Sequence, residues 1–145
     1  MVLDSRVMKK LARDYMRRAR SRLIDAEAAL RRGDYPEVVR YSQECVELSL
    51  KAALRFVGIE YPKVHDVGDV LIENAERFPK WFADIIQELA RISSKLALAR
   101  GPSMYGDEEQ GIPPSELFSE EDAKEALQEA RKVYKVCIEL VKRGE

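Results

Sequence analysis

Long hydrophobic runs are missing from this sequence. No stretch approaches the roughly 20 apolar residues that a membrane-spanning helix requires. The first ten residues, MVLDSRVMKK, lack the apolar centre of a secretory signal. These absences argue against a membrane protein and a secreted one, and we expect the chain to be cytoplasmic.

Histidine and cysteine are also scarce. His65 is the only histidine, and Cys45 and Cys137 are the only cysteines. A single histidine without nearby partners in sequence does not make a metal site, and two isolated cysteines make neither a zinc signature nor a disulfide framework. In the cytoplasm we expect both cysteines to be free thiols on the apolar stripes of helices. We expect neither a metal ion nor a cofactor.

Familiar catalytic motifs are absent as well. The sequence has no glycine-rich phosphate loop, no Walker motif and no nucleophile elbow. What it does have is 145 residues, of which 46% are apolar and 35% are charged. That composition is typical of amphipathic helices with charged outer faces. The length predicts a single helical domain over residues 1–145.

Apolar residues recur at spacings of three and four along the chain, which predicts an all-α fold. The expected helices are about five, at residues 4–32, 34–57, 66–78, 79–99 and 119–141. Gly33 and Gly58 should end the first two helices, Asp66 should cap the third, and Ser119 with Asp122 should form a capping box on the fifth. Short connections between long helices predict an up-down antiparallel bundle.

The net charge is −1, but the charges are unevenly distributed. Residues 1–32 carry ten Lys or Arg and four acidic residues, whereas residues 102–129 carry nine acidic residues and one lysine. One face of the first helix is basic, and we call this face the basic stripe: Arg6, Lys10, Arg13, Arg17 and Arg20. A solvated outer face has this pattern, and so does a surface that follows nucleic-acid phosphates. The opposite charges could also neutralise each other, within one chain or between two copies.

A line of polar residues on the second helix is the first candidate for a site. Gln43, Glu47 and Lys51 are spaced by four residues, which places them on one face of the helix. From spacing alone, the ordinary interpretation is a solvated Glu–Lys pair.

The segment LARGPSMYGDEEQGIPP, residues 98–114, is the second candidate. Its glycines and prolines predict a long loop from about residue 100 to 118. A loop of this length is usually functional or disordered. It carries Arg100, Tyr105 and Asp107.

Four segments together resemble the HEPN family, the higher-eukaryote and prokaryote nucleotide-binding domains. They are GDYPEVVRYSQECVELSLKAAL, VHDVGDVL, ARGPSMYGDEE and FSEEDAKEALQEARKVY, and they extend over nearly the whole chain. The resemblance implies a helical bundle that forms a homodimer. It also implies association with a minimal nucleotidyltransferase, in some members as a toxin–antitoxin pair.

The resemblance also bears on catalysis, because ribonuclease members of the family carry an Arg followed after four to six residues by a His. Here Arg100 is followed after four residues by Tyr105. A phenol with a pKa of about 10 stays protonated at neutral pH and replaces imidazole poorly as a general base. This departure favours binding over catalysis, and we assign no catalytic residue.

By the same resemblance, the polar line and the histidine after it match typical positions of the family, and they should line one cleft with the loop. The predicted ligand-binding residues are Gln43, Glu47, Lys51, His65, Arg100, Tyr105 and Asp107. Arg100 and Lys51 should face phosphate, and Tyr105 should stack or donate a hydrogen bond. The cleft would bind a nucleotide or a nucleotidyltransferase that holds one. Two alternatives stay open: a metal-independent ribonuclease that uses His65, and a purely structural dimeric interaction module.

Overall fold

A computed structural model describes residues 4–144, and within that range every regular element is helical. The seven α-helices of this range, α1 to α7, are Ser5–Arg31, Tyr35–Phe56, Gly68–Glu73, Lys80–Ala83, Ile86–Tyr105, Pro114–Leu117 and Glu120–Arg143, and a 3₁₀ turn covers Ala75–Arg77. Helices α1, α2, α5 and α7 are long and form the bundle. The predicted all-α helical bundle is therefore confirmed, with more short helices than expected.

The ends of the long helices follow the predicted signals. Gly33 and Gly58 have φ angles of 76° and 80°, the left-handed conformation that ends α1 and α2. Ser119 and Asp122 form the predicted capping box on α7, each side chain accepting a backbone N–H of the other. Asp66 accepts a hydrogen bond at 2.9 Å from the backbone N–H of Gly68, at the start of α3.

Helix α2 lies at the centre and packs against α1, α5 and α7. Leu50 and Leu54 of α2 are fully buried, and each buried leucine of this kind stabilises the fold by about 1.5–3 kcal/mol. Cys45 of α2 and Cys137 of α7 are free and fully buried, as predicted. Burial raises the pKa of Cys45 to about 12 and raises the pKa of Cys137 as well.

The prediction of a long loop from residue 100 is wrong, because α5 continues to Tyr105 with Pro102 inside it. A proline ring clashes with the side chain of a preceding helical residue, and Gly101 has no side chain. Ser103 also stabilises this turn by donating a hydrogen bond to the carbonyl oxygen of Arg100 at 2.6 Å. The connection that remains is short and contains a tight turn, in which Asp107 and Ile112 exchange two backbone hydrogen bonds of 2.8 and 2.9 Å.

The predicted fourth helix is also different, because it is divided into α4 and α5. Ile85, between them, has φ −109° and ψ 4°, outside the helical region. Its N–H donates to the carbonyl of Phe82 at 3.1 Å, the tighter i→i+3 bond that often closes a helix.

Candidate functional site

A polar hollow of about 450 Å³ lies beside α2. It is bordered by α1, α2, α5 and the segment before α3, and its lining residues are Arg18, Ser21, Arg22, Glu44, Glu47, Leu48, His65 and Arg100. This volume falls within the range of small-molecule binding sites. Three arginines and two glutamates line it, so its lining carries an excess of positive charge.

Glu47 is the centre of the hydrogen-bond network under the hollow. Its carboxylate accepts hydrogen bonds from Gln43 Nε2 at 2.9 Å and from Lys51 Nζ at 2.9 Å, one turn away on either side. His65 Nδ1 lies 2.7 Å from the same carboxylate. Although the Glu47 side chain is only 17% exposed, these contacts satisfy both of its oxygens.

The pKa of Glu47 reflects two opposing effects. Burial alone would raise the pKa of this carboxyl group, because it disfavours the charged form. The hydrogen bonds from Lys51, Gln43 and His65 favour the charged form, and together they hold the pKa below its usual value. Glu47 is therefore an anion that orients the polar side chains around it.

Arg100 connects α5 to this network. Its Nη1 donates to Gln43 Oε1 at 2.7 Å and to Glu44 Oε2 at 2.9 Å. Because Gln43 donates to Glu47 and accepts from Arg100, its amide joins the two helices in one network. Glu44 also lies 3.7 Å from Arg22 and 3.4 Å from Arg40, so a single carboxylate is shared among three arginines.

Helix α1 contributes residues that the sequence analysis did not select. Arg18 and Arg22 are one turn apart and line the hollow on a different face from the basic stripe. Within residues 4–144, Arg18 makes no ion pair with a carboxylate, and its guanidinium lies 5.5 Å from the centre of the Tyr15 ring. The i, i+4 spacing of two arginines beside the apolar face was the available signal for this group.

The structure joins five of the seven predicted ligand-binding residues in one network: Gln43, Glu47, Lys51, His65 and Arg100. Lys51 does not line the hollow, because its ammonium group bonds to Glu47 and lies 5.5 Å from the centre of the Tyr61 ring. Its expected role facing phosphate is therefore not supported by its position.

Of the three residues predicted from the 98–114 segment, only Arg100 lines the hollow. Tyr105 is 63% exposed, and Asp107 borders a different groove. The reason is the helical path of α5: five residues at about 100° each place Tyr105 about 140° around the axis from Arg100.

The described residues contain no group of three or more His, Cys, Asp or Glu side chains that could hold a metal ion. Nor is any helix between residues 4 and 144 long and apolar enough to cross a bilayer.

Comparison with known proteins agrees with the fold and with the sequence resemblance. The family model of the HEPN domain matches residues 12–141, and the chain belongs to the HEPN domain family. The chain is 28% identical over 145 residues to "Putative toxin MJ1304" of Methanocaldococcus jannaschii, covering 96% of this chain and 93% of that protein. The crystal structure of TT1696 from Thermus thermophilus is similar, with a TM-score of 0.71 and 25% identity over 88% of this chain and 96% of that one.

Proposed function

We propose that this protein is the helical member of a toxin–antitoxin-like pair, that it forms a homodimer, and that its polar hollow binds a nucleotide. The nucleotide is bound directly or while it is held by a minimal nucleotidyltransferase partner. Membership of the HEPN family and similarity to a protein named as a toxin support the general role. The absence of a histidine at position 105 favours binding over catalysis.

The positively charged lining of the hollow carries the proposal of a nucleotide. Arg18 has no carboxylate partner within residues 4–144 and lines a hollow of about 450 Å³. A guanidinium group binds phosphate oxygens through its planar fork. Arg22 pairs with Asp25 at 2.7 Å, whereas Arg100 shares Glu44 with Arg22 and Arg40. The charge of Arg100 is therefore only partly compensated and remains available to a phosphate. Gln43 accepts a hydrogen bond from Arg100 at 2.7 Å and donates one to Glu47, so the Glu47 network holds Arg100 in place.

The test is calorimetric titration of the purified protein with ATP and other nucleotides. The protein is also co-expressed with a nucleotidyltransferase encoded beside it, to see whether the two co-purify. Arg18→Gln should weaken binding about 10- to 100-fold, because a charge-assisted hydrogen bond contributes about 1.5–3 kcal/mol. Arg17→Gln is the matched control. It removes the same charge from the preceding residue of α1, where Arg17 pairs with Asp14 and does not line the hollow.

Three results are informative. Loss of affinity in Arg18→Gln with retention in Arg17→Gln supports a nucleotide in the hollow. Equal losses in both variants indicate a general charge effect and contradict the site. If the wild-type protein binds no nucleotide and does not co-purify with the nucleotidyltransferase, the proposed function is wrong.

The position of His65 favours a second candidate, a metal-independent ribonuclease. His65 Nδ1 lies 2.7 Å from Glu47, and its side chain is 58% exposed at the edge of the hollow. A carboxylate that holds one ring nitrogen leaves Nε2 directed outward, the arrangement of a histidine that exchanges a proton with a substrate. Arg18, Arg22 and Arg100 would then neutralise the scissile phosphate.

For this candidate we expect cleavage of single-stranded or structured RNA in the presence of EDTA, and at least a roughly 100-fold loss of rate in His65→Ala. The readout is the cleavage rate of a labelled RNA on a gel. Lys63→Ala serves as the control, because Lys63 is an exposed neighbour in the same segment. An inert wild-type protein, or cleavage that persists in His65→Ala, excludes this candidate.

A further inference from the structure

Most of the positive charge beside the polar hollow is compensated by neighbouring carboxylates. Six side chains form one group, which we call the arginine cluster: Arg22, Arg40, Arg100, Asp25, Glu37 and Glu44. Glu44 is its centre, because its carboxylate oxygens lie 2.9, 3.4 and 3.7 Å from the three guanidinium groups. Asp25 lies 2.7 Å from Arg22, and Glu37 lies 3.3 Å from Arg40. Three positive and three negative charges leave the cluster without a net charge.

Arg18 differs from the arginines of the cluster. Within residues 4–144 its guanidinium has no carboxylate partner, and it lies 5.5 Å from the centre of the Tyr15 ring. Glu47, the other carboxylate of the lining, is paired with Lys51 at 2.9 Å. Arg18 is therefore the one arginine of the described lining whose charge is uncompensated.

The surroundings of Arg18 suit a single phosphate group. Ser21 follows Arg18 by three residues, lies on the same side of α1 and also lines the hollow. Its hydroxyl can donate a hydrogen bond to a phosphate oxygen that the guanidinium of Arg18 already holds. Arg100 borders the same hollow and can donate to that phosphate, although it shares its charge with Glu44.

A longer phosphate chain meets a less favourable environment. Glu44 lines the hollow and occupies donors of the cluster, so a second or third phosphate group must displace this carboxylate or lie beside it. A charge that leaves water without a new partner costs free energy, and like charges that are brought together repel each other. The volume of about 450 Å³ also lies near the lower end of the range of small-molecule sites.

We propose that the polar hollow selects nucleotides with a single phosphate group, and that Glu44 disfavours those with a longer phosphate chain. This inference rests on the nucleotide of the proposed function and specifies its class as a nucleoside monophosphate. The phosphate is held by Arg18 and Ser21, and the base lies against Leu48, the apolar member of the lining. Glu44 sets the selectivity, because it keeps the arginines of the cluster from a second phosphate group.

Calorimetric titration of the full-length protein with AMP, ADP and ATP tests this selection. The titrations omit divalent cations, because a bound cation would neutralise part of the phosphate chain. The wild type should bind AMP about 10-fold more tightly than ATP, because the additional charges of ATP find no free cation in the hollow. The affinity for ADP should be intermediate.

Glu44→Gln should remove or reverse this preference. The amide has nearly the same size and can still accept a hydrogen bond from Arg100, but the cluster then has one positive charge in excess. ATP should bind about 10-fold more tightly to this variant than to the wild type, whereas the affinity for AMP should change less. Far-UV circular dichroism shows whether the variant is folded.

A second variant and a control complete the test. Asp25→Asn releases Arg22 without changing a residue that lines the hollow, so it should shift the preference towards ATP by about 3-fold, and it carries the test if Glu44→Gln does not fold. Glu139→Gln is the matched control, because it removes the same charge and releases Arg143 on α7, away from the hollow. A shift of the same size in Glu139→Gln assigns the effect to overall charge and overturns the inference.

The remaining outcomes separate this inference from the proposed function. Tighter binding of AMP than of ATP, with a shift towards ATP in Glu44→Gln and Asp25→Asn, supports the selection. A wild type that binds ATP at least as tightly as AMP overturns the inference and leaves a nucleotide site in the hollow. An unchanged preference in both variants also overturns it. A wild type that binds none of the three nucleotides overturns both the inference and direct nucleotide binding.

Discussion

Replacing Glu47 with alanine should lower the free energy of unfolding by about 2–4 kcal/mol. The substitution leaves Gln43 Nε2 and Lys51 Nζ without their acceptor, and both side chains are largely removed from water. A buried cation without a partner costs more than the ion pair contributed while it was intact. Chemical denaturation followed by far-UV circular dichroism gives the free energy of unfolding.

The matched control for Glu47→Ala is Glu125→Ala. Lys95 and Glu125 have the same 2.9 Å separation as Lys51 and Glu47, but both of their side chains are exposed. Exposed ion pairs contribute about 0–1 kcal/mol, so the control should change stability little. If the two variants lose similar stability, burial of the Glu47 network does not have the importance that we assign to it.

The same carboxylate predicts a pH dependence. The pKa of Glu47 is lowered in the folded protein, so its carboxylate adds to the free energy of unfolding at pH values above the ordinary carboxyl pKa of 4.5. This stabilisation is lost as the pH falls through the pKa of the folded state. The difference in unfolding free energy between the wild type and Glu47→Gln should therefore be largest near neutral pH and should decrease below pH 4.5. A difference that grows on acidification contradicts this assignment.

Replacing Gly106 with alanine should destabilise the protein by about 2–4 kcal/mol. Gly106 has φ 69° and ψ −151°, a conformation that is almost exclusive to glycine. An added Cβ would overlap the carbonyl oxygen of Ile112 and lie 3.0 Å from the carbonyl carbon of Pro113. The turn that ends α5 would have to open, and the groove that Gly106 and Asp107 border would change with it.

Gly111→Ala separates the two causes of this effect. Gly111 also has a positive φ, 70°, but an added Cβ would meet no atom within 4 Å. Gly111→Ala should therefore lower the free energy of unfolding only through the strained backbone conformation, by about 1–2 kcal/mol. Thermal unfolding of both variants gives the comparison. If Gly111→Ala is as destabilising as Gly106→Ala, the close approach to Ile112 contributes nothing.

The regular part of the fold was predictable from local signals. Gly33 and Gly58 end helices because they adopt positive φ angles, and the Ser119–Asp122 capping box depends only on a short local stretch of sequence. The segment from 98 to 114 was not predictable in this way. Its glycines and prolines favour a loop, but Gly101 removes the side chain that would oppose Pro102, and the Ser103 hydroxyl supports the same turn. Gly101 and Pro102 together permit a helix that neither residue favours alone.

The candidate site was partly predictable for a related reason. Gln43, Glu47 and Lys51 lie on one helix, so their spacing alone places them together. Arg100, by contrast, is 57 residues from Gln43 in the sequence. Only the packing of α5 on α2 brings Arg100 Nη1 to 2.7 Å from Gln43 Oε1. Arg18 was missed because the residue before it, Arg17, fitted the basic stripe, although the i, i+4 spacing of Arg18 and Arg22 beside the apolar face was available in the sequence.

The two buried thiols can report on how often the bundle opens. Cys45 and Cys137 are inaccessible while α2 and α7 stay packed, and the pKa of about 12 at Cys45 leaves almost no thiolate near neutral pH. A thiol-specific reagent therefore reacts only with molecules in which the centre of the bundle has opened. The rate of labelling under native conditions thus measures how often the packing around these two thiols opens, without any denaturant.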